Sequence, residues 1–559
     1  MLDNMVECKF CKGLSDNDDF CSCCGKSLIE EEACELVSNN GWEEEIVILR
    51  CVSKKSKLRD EDVLRLPGIK GPTIINREEE KVLFTVDESY IELSKLMYSR
   101  ELSFDGILKI SKSILNIFKT LEENRYTLDE ISLDDFEINK RDISDVVYKQ
   151  SRRISRDFIC EDNYMSKNSF VVPEKNSLKG LNKSSNVYLF GKIFTSLLFN
   201  GKYLSGLDEE RYSLYNISLF REDVPYEYHE FLNKITSFYI EERYPSIVDV
   251  MKVLENISDR NDRVLYQLDL ACKITGCTNV GCGKLAKSKK NSEDNDEEKY
   301  NEDILFFDYF ENKKIMAVGD GVSTAKYGSG KEASNILKEK IIEVWDRRKR
   351  VMESKSDFEF FVRELCSLAC EDIISSVKDD IVIHEGTKSV GGIMATTLVI
   401  AVIIDNKMYY CSIGDSFIYL YNSSIGLNVL TNEENILNKR LKNGASWNQA
   451  NSSDDKDYIL NYIGKSEIIN CDLKPTEPEY KIEETYVEVG DIVMLCTDGL
   501  TDYVSSQEGL KNVWSKDKNI KEILSAKDIS LEAKCEKLIE VSNNNGGGDN
   551  ITVVLGEII

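Results

Sequence analysis

The stretch Ile315-Met-Ala-Val-Gly-Asp-Gly-Val-Ser323 decides how this chain is read. Four apolar residues, 315–318, can pair as a buried strand, and they run straight into Gly319-Asp320-Gly321. There the missing side chains let backbone and carboxylate turn together toward a ligand. A helix-like stretch follows. A strand that ends in an acidic glycine turn suits a hard cation, because the carboxylate and a nearby carbonyl can face one point. It also suits an ordinary tight turn, so the remainder of the chain has to choose between the two.

The choice is made by recurrence. Asn301-Glu302-Asp303 precedes Ile304-Leu-Phe-Phe307, and Gly414-Asp415-Ser416 follows Met408-Tyr-Tyr-Cys-Ser-Ile413. Asp498-Gly499 follows Ile492-Val-Met-Leu-Cys496, and Gly548-Asp549-Asn550 precedes Ile551-Thr-Val-Val-Leu555. Strands paired side by side would gather these acids at one rim, where such a charge density is tolerable only with cations to neutralise it. Oxygen ligands without histidine or thiol favour Mg²⁺ or Mn²⁺ over zinc. Two such ions, or three, can activate a water and stabilise in-line displacement at phosphorus.

Taken in order, these motifs, with Gly391-Gly-x-Met-Ala-Thr-Thr397 and Cys496-Thr-Asp-Gly-Leu-Thr-Asp502, resemble the metal-dependent serine/threonine protein phosphatases of type 2C over residues 264–559. The resemblance implies an α/β/β/α-layered β-sandwich, consistent with amphipathic segments at 331–346 and 357–378. It implies that Asp320, Asp498 and Asp549 hold one metal, that Asp320 and the Gly321 carbonyl hold a second, and that Glu302 and Asp303 bind the metals or orient their waters. Asp415 matches an acid that helps hold a third ion in bacterial relatives, while Thr396 and Thr397 are expected beneath the site as support. Three departures stand out. The arginine that usually lies three residues before Asn-Glu-Asp and grips the substrate phosphate is Glu298 here, with Lys299 or a lysine from 287–290 as a candidate substitute. Val322-Ser323 replaces the usual residues after Asp-Gly, and Phe417 stands where an arginine normally follows Gly-Asp-Ser.

Before residue 264 the text changes character. Cys8-Lys-Phe-Cys11 and Cys21-Ser-Cys-Cys24-Gly25 form two C-x2-C knuckles, which place thiolates on tight turns and predict one structural Zn²⁺ held by Cys8, Cys11, Cys21 and Cys24; Cys23 blurs the second knuckle. Residues 1–30 resemble the small zinc ribbons of bacterial regulatory proteins. Residues 33–258 read as a two-lobed α+β region, with strands at 44–52 and 80–86 and a helix over 105–122. Phe170-Val-Val-Pro-Glu174, Ser185-Asn-Val-Tyr188 and Arg243-Tyr-Pro-Ser246 resemble the protein kinase large lobe, which implies a buried Glu174–Arg243 ion pair. The catalytic parts are missing. Leu128-Asp129-Glu130 stands where His-Arg-Asp is expected, no Asp-Phe-Gly follows, and Arg50 takes the place of the phosphate-binding lysine. Phosphoryl transfer needs those parts together, so this region is expected to be a pseudokinase.

The composition fits a globular multi-domain protein: 559 residues, 42% apolar, with a formal net charge of −27. That charge excludes nucleic acid and anionic membrane as general partners. With no run long enough to span a bilayer and no signal-like N-terminus, a cytoplasmic setting is expected, in which most of the 17 cysteines are buried thiols or metal ligands. Two functional expectations follow. The first is a phosphatase acting on phosphorylated protein substrates, regulated by the pseudokinase, with protein partners at the pseudokinase or ribbon. The other, raised by Glu298, is a signalling scaffold that binds partners with impaired catalysis.

Overall fold

A computed structural model describes residues 6–7, 14–15, 33–37, 46–53, 58–76, 81–99, 101–151, 154–156, 170–176, 180–199, 217, 220–264, 270–289, 300–384, 389–445, 447–505 and 513–559. The four expected zinc ligands, together with Glu298 and Lys299, lie outside these residues. The chain forms two compact units, Met1–Leu204 with Leu232–Leu254, and Ser205–Phe231 with Glu255–Ile559.

In the first unit, strands Ala33–Val37, Ile46–Ser53, Lys81–Thr85 and Ile74–Asn76 pair in that order as an antiparallel sheet. The helix Phe104–Glu123 forms where apolar residues recur every three to four positions. Ser103 caps it by accepting from the Gly106 amide, and Ile107, Ile110, Ile114 and Phe118 line its buried face. The helix Lys183–Leu198 is buried on nearly every side. Glu174 and Arg243 form the expected buried pair, with Nη1 to Oε1 at 2.8 Å and Nη2 to Oε2 at 3.2 Å. The Lys175 ammonium is enclosed at 2.9 Å from Asp129 and 3.4 Å from Glu130.

The second unit is a sandwich of two antiparallel five-stranded sheets. One contains β1 (Cys272–Asn279), β6 (Phe417–Asn422), β7 (Gly426–Val429), β9 (Ile492–Cys496) and β10 (Ile551–Ile558), in the order β1-β10-β9-β6-β7. The other contains β2 (Ile304–Phe310), β3 (Lys313–Gly319), β4 (Leu398–Ile404), β5 (Lys407–Ile413) and β8 (Glu483–Tyr486), paired in sequence order. Helix α1 (Cys282–Lys289) follows β1. Helices α2 (Gly330–Arg348) and α3 (Lys355–Val377) cover one sheet, and α4 (Val513–Ser525) and α5 (Leu531–Asn544) the other.

The period of two in β3 shows why both faces are apolar. Met316 and Val318 enter the core between the sheets with Val399, Leu495 and Val554, whereas Ile315 and Ala317 pack under Leu337, Phe361 and Leu365 of the helices. Among the described residues no helix is long and apolar enough to cross a membrane. The nine cysteines from Cys272 to Cys535 in the second unit are free thiols, five of them buried.

Candidate metal centre

Strand register assembles the acids. β2 and β3 pair with Ile304 opposite Gly319, so Asp303, just before one strand, and Asp320, just after the other, emerge at the same end. β4 pairs with β5 through Leu398 and Ile413, which brings Thr397 and Gly414-Asp415 to that end too. In the other sheet Cys496 faces both Phe417 and Val553, so Asp498, Asp415 and Asp549 all flank one rim.

The backbone of the central turn is tied down from below. Asp320 N donates to Thr397 Oγ1 at 3.0 Å, while its carbonyl accepts from Thr397 N at 2.8 Å and from Thr396 Oγ1 at 2.9 Å. The two threonines therefore act as the support expected of them. Gly321 donates to the Glu302 carbonyl at 3.1 Å, and a Cβ there would lie 2.1 Å from the Gly330 carbonyl, so the close approach requires glycine. Asp303 accepts from Thr497 Oγ1 at 3.0 Å, and Gly414 is clamped by Glu434, whose Oε2 accepts its amide at 2.9 Å.

The electrostatics are those of crowded acids. Burial, then Asp303, Asp498, Asp549 and Asp415, push the Asp320 carboxyl well above the usual carboxylate range. Burial and then Asp415, Asp502 and Asp549 do the same to Asp498. Asp415 is raised to about 7 by burial and then by Glu433, and Asp303 to about 6, chiefly by burial. One oxygen on each of Asp303, Asp415 and Asp498 is buried without a hydrogen-bond partner. Such oxygens are costly unless a cation completes them, so the donor set fits hard divalent ions with oxygen ligands. Among the described residues, no three His, Cys, Asp or Glu side chains are gathered closely enough to be a finished coordination set.

One cation belongs to the chain itself. Lys284 Nζ donates to Asn550 Oδ1 at 2.7 Å, Asp549 Oδ1 at 2.8 Å, Glu302 Oε2 at 3.0 Å and Ser323 Oγ at 3.2 Å. Burial works against its charge, but Asp549 and Glu302 outweigh that and hold its pKa above the ordinary lysine value. Ser323 Oγ also bonds Glu302 Oε2. Among the described residues Lys284 is the lysine that meets these acids; Lys290 and Lys299 lie outside the described residues. Its position traces to β1, which pairs with β10 from Cys272 opposite Ile558 to Asn279 opposite Ile551 and so delivers Gly281–Lys284 beside Asp549. His384 is exposed, and His229 is buried with Nε2 3.1 Å from Asp517, so neither histidine belongs to the rim.

Residues 294–522 match the family model described as "Protein phosphatase 2C". The protein phosphatase PhpP of Streptococcus pneumoniae is 34% identical over 163 residues, 29% of this chain and 57% of its own length. The chain thus spans a little over half the length of the first curated relatives it matches. The serine/threonine phosphatase stp of Listeria monocytogenes is 27% identical over 256 residues, 45% of this chain and 87% of that one. Among solved structures, the S. agalactiae serine/threonine phosphatase aligns at 22% identity over 52% of this chain and 100% of its own, with a TM-score of 0.37.

Proposed function

We propose that the second unit hydrolyses phosphoserine and phosphothreonine on proteins with the help of Mg²⁺ or Mn²⁺. The observation that carries this reading is the rim itself: recessed carboxylates from both sheets, three of them with an unpartnered buried oxygen, beside a positioned ammonium. The named serine/threonine phosphatases among the relatives agree with it.

In this reading Asp320, Asp498 and Asp549 hold a first ion, Asp320 with the Gly321 carbonyl a second, Glu302 and Asp303 assist, and Asp415 contributes to a third. When bound, such ions would polarise the phosphate and activate a water for in-line attack. The chain's own work is to keep the acids aimed. Thr396 and Thr397 fix the Asp320 backbone, Thr497 orients Asp303, and Glu434 fixes the Gly414 turn. Lys284 supplies the positive charge that faces the substrate phosphate, as a point charge and not the bidentate fork of an arginine. A lysine so placed favours the phosphatase over the scaffold with impaired catalysis that Glu298 had raised.

The first unit serves as a protein-kinase-like domain without phosphoryl transfer, because Lys175 closes its acidic cluster with an internal ion pair. It regulates the second unit and offers a surface to protein partners. Cys8, Cys11, Cys21 and Cys24 hold a structural zinc, a reading that comes from their spacing alone.

The test is turnover of a phosphothreonine peptide by the purified full chain with Mn²⁺. Turnover is expected with wild type and is expected to fall by at least about a hundredfold in Asp320→Asn and Asp498→Asn, as for loss of a main electrostatic element. No turnover by wild type in saturating Mn²⁺, or unchanged turnover in Asp320→Asn, overturns the reading.

A further inference from the structure

Lys284 is held more firmly than a surface lysine needs to be. Its own amide donates to the Gly547 carbonyl at 3.0 Å, and the Gly283 amide donates to the same oxygen at 2.8 Å. Cys282 N donates to Asn543 Oδ1 at 2.7 Å, and Asn550 Nδ2 reaches back to the Val280 carbonyl at 2.9 Å. Gly281, at φ +82°, lies so close to the 546–549 loop that a Cβ would sit 2.0 Å from the Asp549 carbonyl. The loop that carries the lysine and the loop that carries Asp549 are therefore one stitched piece.

This pre-organisation aims a cation at acids assigned to metal. The lysine side chain is only 16% exposed, and two of its four partners, Glu302 and Asp549, belong to the expected metal set. An ammonium and a dication cannot both be the nearest counter-charge of the same carboxylate oxygens, because their repulsion at such separations is large in a partly desolvated site. Asn550 and Ser323, neutral partners on the same nitrogen, give the ammonium a place to stay when a carboxylate oxygen is taken from it.

We infer that Lys284 is a built-in competitor of the divalent cation: it neutralises Glu302 and Asp549 in the metal-free protein, gives up those oxygens as metal loads, and so lowers metal affinity while keeping the empty rim folded. The binding of the two cations is coupled, and the coupling is reciprocal: whatever the lysine takes from metal affinity, the metal takes from the lysine's hold on the acids. This rests on the phosphatase reading only in requiring that a divalent cation binds at the rim.

The experiment compares wild type, Lys284→Met and Lys284→Arg as full-length chains, using Mn²⁺ alone as the probe. Mn²⁺ binding is followed by electron paramagnetic resonance or calorimetry, and thermal unfolding is recorded with and without Mn²⁺. Lys284→Met is expected to bind Mn²⁺ about tenfold more tightly, within the usual range of such couplings, while Lys284→Arg keeps the weaker binding. Without metal, Lys284→Met is expected to unfold at a lower temperature, since its acids lose their counter-charge, and saturating Mn²⁺ is expected to close that gap. Equal or weaker Mn²⁺ binding by Lys284→Met overturns the inference, as does a stability deficit that persists in Mn²⁺. No Mn²⁺ binding by wild type overturns the phosphatase reading along with it, whereas equal binding by wild type and Lys284→Met leaves that reading standing.

Discussion

Arg260 lies four residues before the start expected for the phosphatase-like domain, yet it belongs to the second unit and is one of its most buried side chains. Its guanidinium is 1% exposed and meets Asp491 Oδ2 at 2.6 Å, Glu488 Oε1 at 3.3 Å and the Tyr486 carbonyl at 3.3 Å. Asn422 Nδ2 bonds the same two acids, at 2.6 Å to Asp491 and 3.0 Å to Glu488. Arg260→Met takes the guanidinium from two interior carboxylates that keep the Asn422 amide and, on Asp491, the Glu488 backbone amide at 3.0 Å. Breaking a buried pair from one side costs about 3–5 kcal/mol. That is a large part of the roughly 5–15 kcal/mol that holds a domain folded, and it corresponds to a drop of about 4–7 °C in Tm for a unit this large.

Calorimetric unfolding of the full chain would show the drop in the transition of the second unit. Burial already holds the Asp491 carboxyl above its usual range against the downward pull of Arg260, so without the guanidinium it takes up a proton more readily. A raised carboxyl pKa makes stability return as pH falls, so the deficit should be smaller at pH 5 than at pH 8. Adding Asp491→Asn and Glu488→Gln to Arg260→Met removes the stranded charges and should recover most of the loss. A loss below about 1 kcal/mol, or one unchanged in the triple variant, would refute the reasoning. The same geometry has a practical consequence. A fragment cut at residue 264 lacks Arg260, and it also lacks Glu230, whose Oε2 accepts the Leu427 amide at 2.6 Å. Low activity in that fragment would therefore report lost packing before it reported lost regulation.

Two further outcomes are expected. Glu122, buried in the first unit with the Ile247 amide at 3.3 Å and Asn186 Nδ2 at 3.4 Å, is raised by burial from 4.5 to about 7. Its contribution is fully present below the unfolded value and is lost as pH rises through about 7, so Glu122→Gln should stabilise the first unit by ~3 kcal/mol at pH 8 and hardly at all at pH 4, as read from urea unfolding. Thr397→Val removes the oxygen that accepts the Asp320 amide at 3.0 Å and leaves that amide without it; a cost of about 1–3 kcal/mol, with weaker Mn²⁺ binding, should appear in thermal unfolding and metal titration.

What the sequence revealed about the rim was local in kind. Asp303, Asp320, Asp415, Asp498 and Asp549 each sit within two residues of a strand end, and glycine neighbours mark most of those ends, so short-range pattern was enough to gather them. Lys284 is not legible because its place depends on β1 pairing with β10 across more than 250 residues of chain, and the charged stretch 287–299, which offers the expected lysines, separates it from Asn301. Ser323 was noticed only as a departure, although its hydroxyl joins Lys284 to Glu302. The membership of Arg260 and Glu230 in the second unit was equally illegible. Helical periodicity says that a face is buried, but not what buries it. Glu174 and Arg243, by contrast, were found through resemblance, because the residues flanking each are distinctive even though 69 positions separate them.

Both units set a lysine on a pair of acids, and comparing the two pairs shows which one is open to exchange. Lys175 is 2% exposed on Asp129 and Glu130, side chains themselves 9% and 2% exposed, and neither acid has a buried oxygen left unpaired. The ammonium there is enclosed with both acids, and a dication would have to break an enclosed pair and desolvate itself in the same step, which is the costliest way to bind. Lys284 is 16% exposed, its partner Asp549 is 43% exposed, and three neighbouring carboxylates each have an oxygen without a partner. One ammonium cannot balance five or six acids, so net negative charge remains at the rim whatever the lysine does. The excess suits the rim to a cation, and the enclosure suits the other cluster to a structural role. The proposed chemistry at phosphorus therefore fits the sandwich better than the first unit.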